Sequence, residues 1–294
     1  MDITQDNRLS ASVTGFIDRM PSLSTTVTKV LEICNRPNTS PNDLNRVISL
    51  DPVLTGQVLK LINSAYYSLP NQITSLGRAI IMLGINTVKN LALSTAILGT
   101  LSKTKTLIPM DVFWSHCLCV GVTAKALAAF HKIPAALQEE YFVAGLLHDI
   151  GKIPLHNCFP EEYETVLSLT GLEQGPLYRS EELLLGCTHQ ETGRLIAEKW
   201  QFSPTIGDCI SCHHAPRRAG EARRGTVAIV ALANIYACLH DYGSAGDPFP
   251  ATADINEALD IAGFRWEDLR PLAQRVDSEL EKAKIFLQVS EVSS

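Results

Sequence analysis

The densest run of chemically capable side chains is Ala144-Gly-Leu-Leu-His148-Asp149-Ile-Gly-Lys152, in which a histidine, an aspartate and a lysine close an otherwise apolar stretch. Neighbouring helical residues point about 100° apart, so His148 and Asp149 converge only over the edge between them, and a metal ion suits that point. Lys152 falls one turn further along the same face, where its ammonium can reach a phosphate held by such an ion. A lone histidine in an apolar interior is more often a satisfied core residue. This one has company: His116 lies on the preceding apolar stretch, His189 follows Thr188, and His213 and His214 come just before Pro216. Thr188 and Glu191 have the spacing of a capping box, which sets His189 at the first position of a helix. Five of the eight histidines thus fall at ends or inner faces of four successive helices, whereas His131, His156 and His240 adjoin loop signals and read as surface residues. Imidazole and carboxylate are ligands that iron, manganese, zinc or nickel accept, with iron or manganese favoured. One or two such ions are expected, with Asp149, the only acid of the set, shared between them.

The elements that must position these groups read as helices almost throughout. Ser40-Pro41 and Asp51-Pro52 are N-cap signals with proline at the first helical position, and Ser75 opens a further stretch in which Gly84 marks a joint. Longer helices are expected over Trp114–Ala129, Pro134–Ile150, Thr188–Trp200, Pro204–His213 and Thr226–His240. Strand alternation bounded by turn signals is absent, so the class is all-α. The polar stretch Ser102 to Thr106 divides the chain into an N-terminal helical lobe, residues 1–105, and a lobe carrying the histidines, residues 106–250, followed by C-terminal helices and a frayed tail, 251–294.

Composition narrows the function classes. The chain has 294 residues, 46% hydrophobic and 19% charged, which is enough for a sizeable core and excludes disorder, collagen and coiled coil. The net charge is −6, divided as +2 over the first hundred residues and −8 over the rest, so neither part carries the basic excess of a nucleic-acid binder. Arg217, Arg218, Arg223 and Arg224 form the densest basic cluster and read as a solvated loop, with an anion-binding role kept open for the first two. No secretory signal opens the chain, and uncharged apolar runs such as Asn90 to Ser102 fall short of the about 20 residues of a bilayer span, so a cytoplasmic protein with no membrane partner is expected. The eight cysteines, several within apolar runs, read as reduced core residues, and the Cys209-x-x-Cys212 pair alone is weak evidence for zinc or redox chemistry.

His148-Asp149-Ile-Gly-Lys152, with His116 before it and His189 and His213-His214 after it, resembles the HD superfamily of metal-dependent phosphohydrolases, which includes the HD-GYP cyclic-di-GMP phosphodiesterases. Met20-Pro-Ser-Leu23, Ile48-Ser-Leu-Asp-Pro-Val-Leu54, Leu61-Ile-Asn-Ser-Ala65, Ala79-Ile-Ile-Met-Leu-Gly84 and His189-Gln-Glu-Thr-Gly193 are similar to the HDOD family, the HD-related output domains of bacterial signalling proteins. The resemblance spans roughly residues 15 to 245 and implies a two-lobed all-helical fold with a regulatory role. It also implies that His116, His148, Asp149, His189, His213 and His214 stand at metal-ligand positions and Lys152 at that of a phosphate-facing lysine. Asn234 stands where the hydrolytic relatives carry a late acidic ligand, which weakens one of two metal positions. The GYP stretch is replaced by Ala-Pro-Arg-Arg, which disfavours cyclic-di-GMP hydrolysis.

Two readings follow. The first is a signalling module whose metal-binding site serves structure or sensing of a phosphate-containing small ligand, with a protein partner downstream. The second is a working phosphohydrolase in which Asp149 and Lys152 are catalytic and Arg217 or Arg218 assists. The adjacent Tyr66 and Tyr67 pose a smaller choice between packing of the lobes and a docking surface, with packing favoured.

Overall fold

The computed structural model describes residues 12–291 apart from 35, 37, 102 and 103, and among the described residues every regular element is a helix. The first half holds α1 (12–19), α2 (Thr25–Cys34), α3 (Pro41–Ile48), α4 (Pro52–Ile62), α5 (Leu76–Leu83) and α6 (Ile85–Leu101). The capping chemistry read from the sequence sets these boundaries. Ser40 accepts from the Asp43 N–H while the Asp43 carboxylate accepts from Ser40, and Asp51 accepts from Leu54, each ahead of a proline at the first helical position. Gly84, at φ +86°, ends α5, and the chain bends by 120° into α6.

The second half holds α7 (Met110–Phe130), α8 (Ala135–Leu147), α9 (Lys152–Cys158), α10 (Pro160–Glu173), α11 (Leu177–Leu185), α12 (His189–Lys199), α13 (Pro204–Cys212) and α14 (Arg224–Leu239). The chain closes with α15 (Thr252–Ala262), α16 (Trp266–Leu269), α17 (Leu272–Ala283) and α18 (Ile285–Glu291). α7 is the central helix, packed against α8, α14 and α17. A Cβ on Gly145 would lie 2.8 Å from the Gly121 backbone, so α7 and α8 meet at a separation that only glycine permits. This close approach brings His116 on α7 to the end of α8, where His148 stands.

One expectation is corrected here. Two helical stretches, Met110–Phe130 and Glu221–Leu239, are long and apolar enough to cross a membrane by length and composition, contrary to the reading that the apolar runs are too short. Most residues of both lie buried inside the protein, because a helix enclosed by neighbours on all sides is apolar all round.

A single hydrophobic cluster runs through both halves. α6 packs on α8, and α18 returns to lie on α4 and α6, where Gln57 donates to the Val289 carbonyl at 3.3 Å. Tyr66 is 7% exposed and sits 5.6 Å from Phe142 and 5.3 Å from Phe286 between ring centroids. Lys125 donates to the Tyr66 hydroxyl at 3.1 Å and pairs with the buried Glu139. The tyrosine pair is therefore part of the packing between the halves. Ser102 and Lys103, in the stretch where the lobe boundary was expected, lie outside the described residues, as does the end of the tail.

Candidate metal centre

His148 and Asp149 stand in the turn between α8 and α9, where Ile150 donates to the Leu147 carbonyl and Lys152 to the Asp149 carbonyl in an i,i+3 pattern. That tighter winding, rather than a regular helix, aims their side chains. His148 donates from Nδ1 to the Gly145 carbonyl at 2.7 Å. His213, at the end of α13, has Nδ1 3.1 Å from both the Cys209 and Ile210 carbonyls. His189 opens α12 through the Thr188–Glu191 capping box, and its Nδ1 donates to the Glu181 carboxylate at 2.6 Å. Carbonyl and carboxylate oxygens only accept, so in all three rings Nδ1 carries a proton and Nε2 is the nitrogen left to offer a lone pair to the interior. Burial holds His213 well below the ordinary histidine range, which keeps its ring neutral.

Those lone pairs converge on Asp149. His189 Nε2 and His213 Nε2 are 3.2 Å apart and lie 3.5 and 3.6 Å from Asp149 Oδ1. Asp149 Oδ1 is buried with no hydrogen-bond partner among the described residues, and His148 Nε2 lies 3.2 Å from Asp149 Oδ2. Imidazole nitrogens and a carboxylate oxygen gathered this closely in a buried volume are a donor set that a divalent cation would hold. The triangle also has the right size: ligands at about 2.0–2.2 Å around a four-coordinate ion are separated by about 3.3–3.6 Å. His189, His213 and His214 can offer ligand atoms within 4.8 Å of one another, as can His116, His148 and Asp149, so the residues present fit a metal.

The second of these groups is already engaged by the protein. Lys152 is fully buried and donates to Asp149 Oδ2 at 2.7 Å. Burial opposes charge on Lys152, but Asp149 outweighs it and raises the lysine above its ordinary value. Burial likewise pushes the Asp149 carboxyl up, and His148 and Lys152 outweigh it, holding the group well below the usual carboxylate range. The ammonium read as phosphate-facing thus faces the aspartate. His116 Nε2 lies 2.9 Å from Asn234 Oδ1 and 3.9 Å from Asp149 Oδ2, so the amide at position 234 holds the nitrogen that a metal would need. Burial drives His116 down to about 3, which leaves it neutral.

Several expectations are corrected at this site. Asp149 is not the only acid: Glu181 is fully buried, accepting from the His189 N–H and ring and from the Tyr163 hydroxyl, and Asp247 is 6% exposed beside His214. Burial favours the protonated Glu181, and His189 outweighs that to lower it. Both acids lie outside the helices expected from sequence, Glu181 on α11 and Asp247 in the Gly/Pro-punctuated loop after α14. Arg217 turns away to Glu257 and Asp260, whereas Arg218 lines a cleft of about 400 Å³ with Tyr178, Arg194 and the half-buried His214. Apart from His214 the histidines, Asp149 and Lys152 are at most 2% exposed, so the centre is sealed and the cleft reaches only its edge.

His156, expected at the surface, is also buried, with its ring 4.2 Å from that of Tyr163 and neither nitrogen hydrogen-bonded among the described residues. His131 and His240 are exposed as expected. Burial pushes His156 down to about 4, so its neutral form is required in the fold and its contribution is lost as pH falls from the unfolded value near 6.5 towards 4. His156→Phe is expected to remove up to about 3 kcal/mol of acid destabilisation over that window. Urea unfolding at pH 7 and pH 4.5 checks this: equal losses in the variant and the wild type would refute it.

The all-helical fold with His148-Asp149 and neighbouring histidines gathered in a sealed interior is the arrangement that the resemblance to the HD class implied. Within it, the chain belongs to the HDOD family: the HDOD domain profile matches residues 20–216. Its fold is similar to that of an HDOD domain protein of unknown function from Geobacter sulfurreducens, with a TM-score of 0.74 and 24% identity over 96% of this chain and 99% of the other. It is similar also to a proposed phosphohydrolase from Shewanella amazonensis SB2B, with a TM-score of 0.71 and 25% identity over 94% and 98% of the two chains. An uncharacterised protein of Treponema pallidum (strain Nichols) is 25% identical over 232 residues, which are 79% of this chain but 45% of that protein, so the chain spans under half the length of this relative.

Proposed function

We propose that this chain is a regulatory HDOD module whose sealed centre binds a divalent transition metal for structure and sensing rather than for turnover. The observation that carries the reading is the buried triangle of His189 Nε2, His213 Nε2 and Asp149 Oδ1, with sides of 3.2–3.6 Å and every neighbouring Nδ1 proton directed elsewhere. Iron, manganese, zinc and nickel all accept this donor set, and the four-coordinate edge lengths bring zinc level with iron and manganese. α12 and α13 and the α8–α9 turn each contribute a ligand, so metal binding fixes their mutual placement. His214 carries that placement to the cleft, where Arg218 and Arg194, the latter paired with Glu198, would meet a phosphate-bearing small ligand beside Glu182 and Glu191.

A second reading, phosphoester hydrolysis, draws on the 25% identity to the proposed phosphohydrolase and on the same two arginines. A bound divalent ion would supply Lewis acidity and a water of lowered pKa. In that reading Arg218 would hold the phosphate at the cleft, and Lys152 would leave Asp149 to reach it. The pairing at 2.7 Å within a sealed interior weighs against this.

Elemental analysis of protein purified without added metal is expected to find about one ion per chain. No hydrolysis of bis-p-nitrophenyl phosphate above the metal-free control is expected with manganese, iron or zinc. Absence of metal would refute the first reading, and turnover that Lys152→Ala abolishes would replace it with the second.

A further inference from the structure

The loop after α14 turns at Gly246, at φ +84°, and the next residue, Asp247, is buried beside His214, whereas Asn234 meets His116. One oxygen of Asp247 accepts from the Leu177 N–H at 3.0 Å, which anchors the side chain to the start of α11. The other lies 3.4 Å from His214 Nε2, a buried nitrogen with no hydrogen-bond partner among the described residues. That separation is again in the range of ligand–ligand edges around an ion bound at about 2.0–2.2 Å.

Charge bears on how many ions such an interior accepts. Asp149, Glu181 and Asp247 place three carboxylates in one buried region, against the single ammonium of Lys152, while the histidines are needed neutral as ligands. One divalent cation brings the group to neutrality. A second would leave two uncompensated positive charges in a medium of low dielectric, which is strongly disfavoured.

We infer that Asp247 supplies the second carboxylate of the metal centre, on its His214 side, and that the centre therefore holds one ion, with Asp247 joining Asp149, His189, His213 and His214, rather than two bridged by Asp149. This rests on the metal-binding reading above and deepens it. The acid missing at position 234 is not replaced in place. The negative charge enters from a different element and selects the half of the site that Lys152 and Asn234 leave open.

The test is competition between the 294-residue chain and a chelator for Zn2+, with bound zinc per chain measured after gel filtration. Wild type is expected to hold about one zinc. Asp247→Asn keeps an oxygen for the Leu177 N–H, so the fold is retained, and its zinc affinity is expected to fall by about 10-fold or more. Asp247→Glu, which keeps the charge, is expected to bind better than Asp247→Asn, and serves as the readout if the amide variant fails the circular dichroism check. Asn234→Asp in the Asp247→Asn background is not expected to restore the lost affinity, because residue 234 faces His116. Unchanged affinity in Asp247→Asn, or two zinc ions in wild type, would overturn this inference while leaving the metal-binding reading intact. No zinc in wild type would overturn both.

Discussion

Asp149→Ala is expected to abolish metal binding and to destabilise the fold by about 3–5 kcal/mol, the cost of leaving one partner of a buried ion pair uncompensated. Two losses combine in this variant. The carboxylate that faces His189 and His213 disappears from the centre, and the Lys152 ammonium, fully buried at 2.7 Å from Asp149 Oδ2, loses its counter-charge. For a chain of this size the melting temperature should drop by roughly 10 °C. The two effects separate in Asp149→Ala/Lys152→Met, which removes the stranded ammonium: most of the stability should return while zinc binding stays absent. Thermal melts in the presence of a chelator, alongside zinc content, check both parts. A double variant no more stable than Asp149→Ala would show that the ion pair is not what the aspartate contributes to folding.

Gly151→Ala is expected to be nearly as damaging although the residue offers no ligand atom. A Cβ there would run into the His189 carbonyl oxygen and lie 2.5 Å from the Gly193 nitrogen, all backbone atoms that cannot rotate aside. α12 must move away from the α8–α9 turn to accommodate it, and His189 moves with its helix. A loss of several kcal/mol and at least a tenfold fall in zinc affinity are expected, in the range of overpacking and misplaced ligands. Gly171→Ala is the control: a Cβ there meets nothing within 4 Å, and alanine in a helix interior gains roughly 0.5–1 kcal/mol over glycine. If the two alanine variants melt alike, the close contact between Gly151 and α12 does not position the centre.

Much of the local architecture is legible in residues that are near one another in the chain. The capping residues Ser40, Asp51 and Thr188 start their helices as read, Ser75 opens and Gly84 closes the stretch between them, and the five histidines with Asp149 lie in two adjoining groups. These features are legible because a cap or a helical face involves residues three or four apart, whose chemistry is written within one turn. What the tertiary structure alone decided is the electrostatics of the centre. Glu181 and Asp247 are separated from Asp149 by 32 and 98 positions, and they lie on α11 and in a loop where no periodic pattern marks them. The partner of Lys152, the outward turn of Arg217 and the burial of His156 depend on which helices close over them. Charge and burial are properties of an enclosed volume, and an enclosed volume is made by segments distant in the chain. The sequence could therefore name the imidazoles of this centre, but only the fold could show that the centre is sealed and which carboxylates balance it.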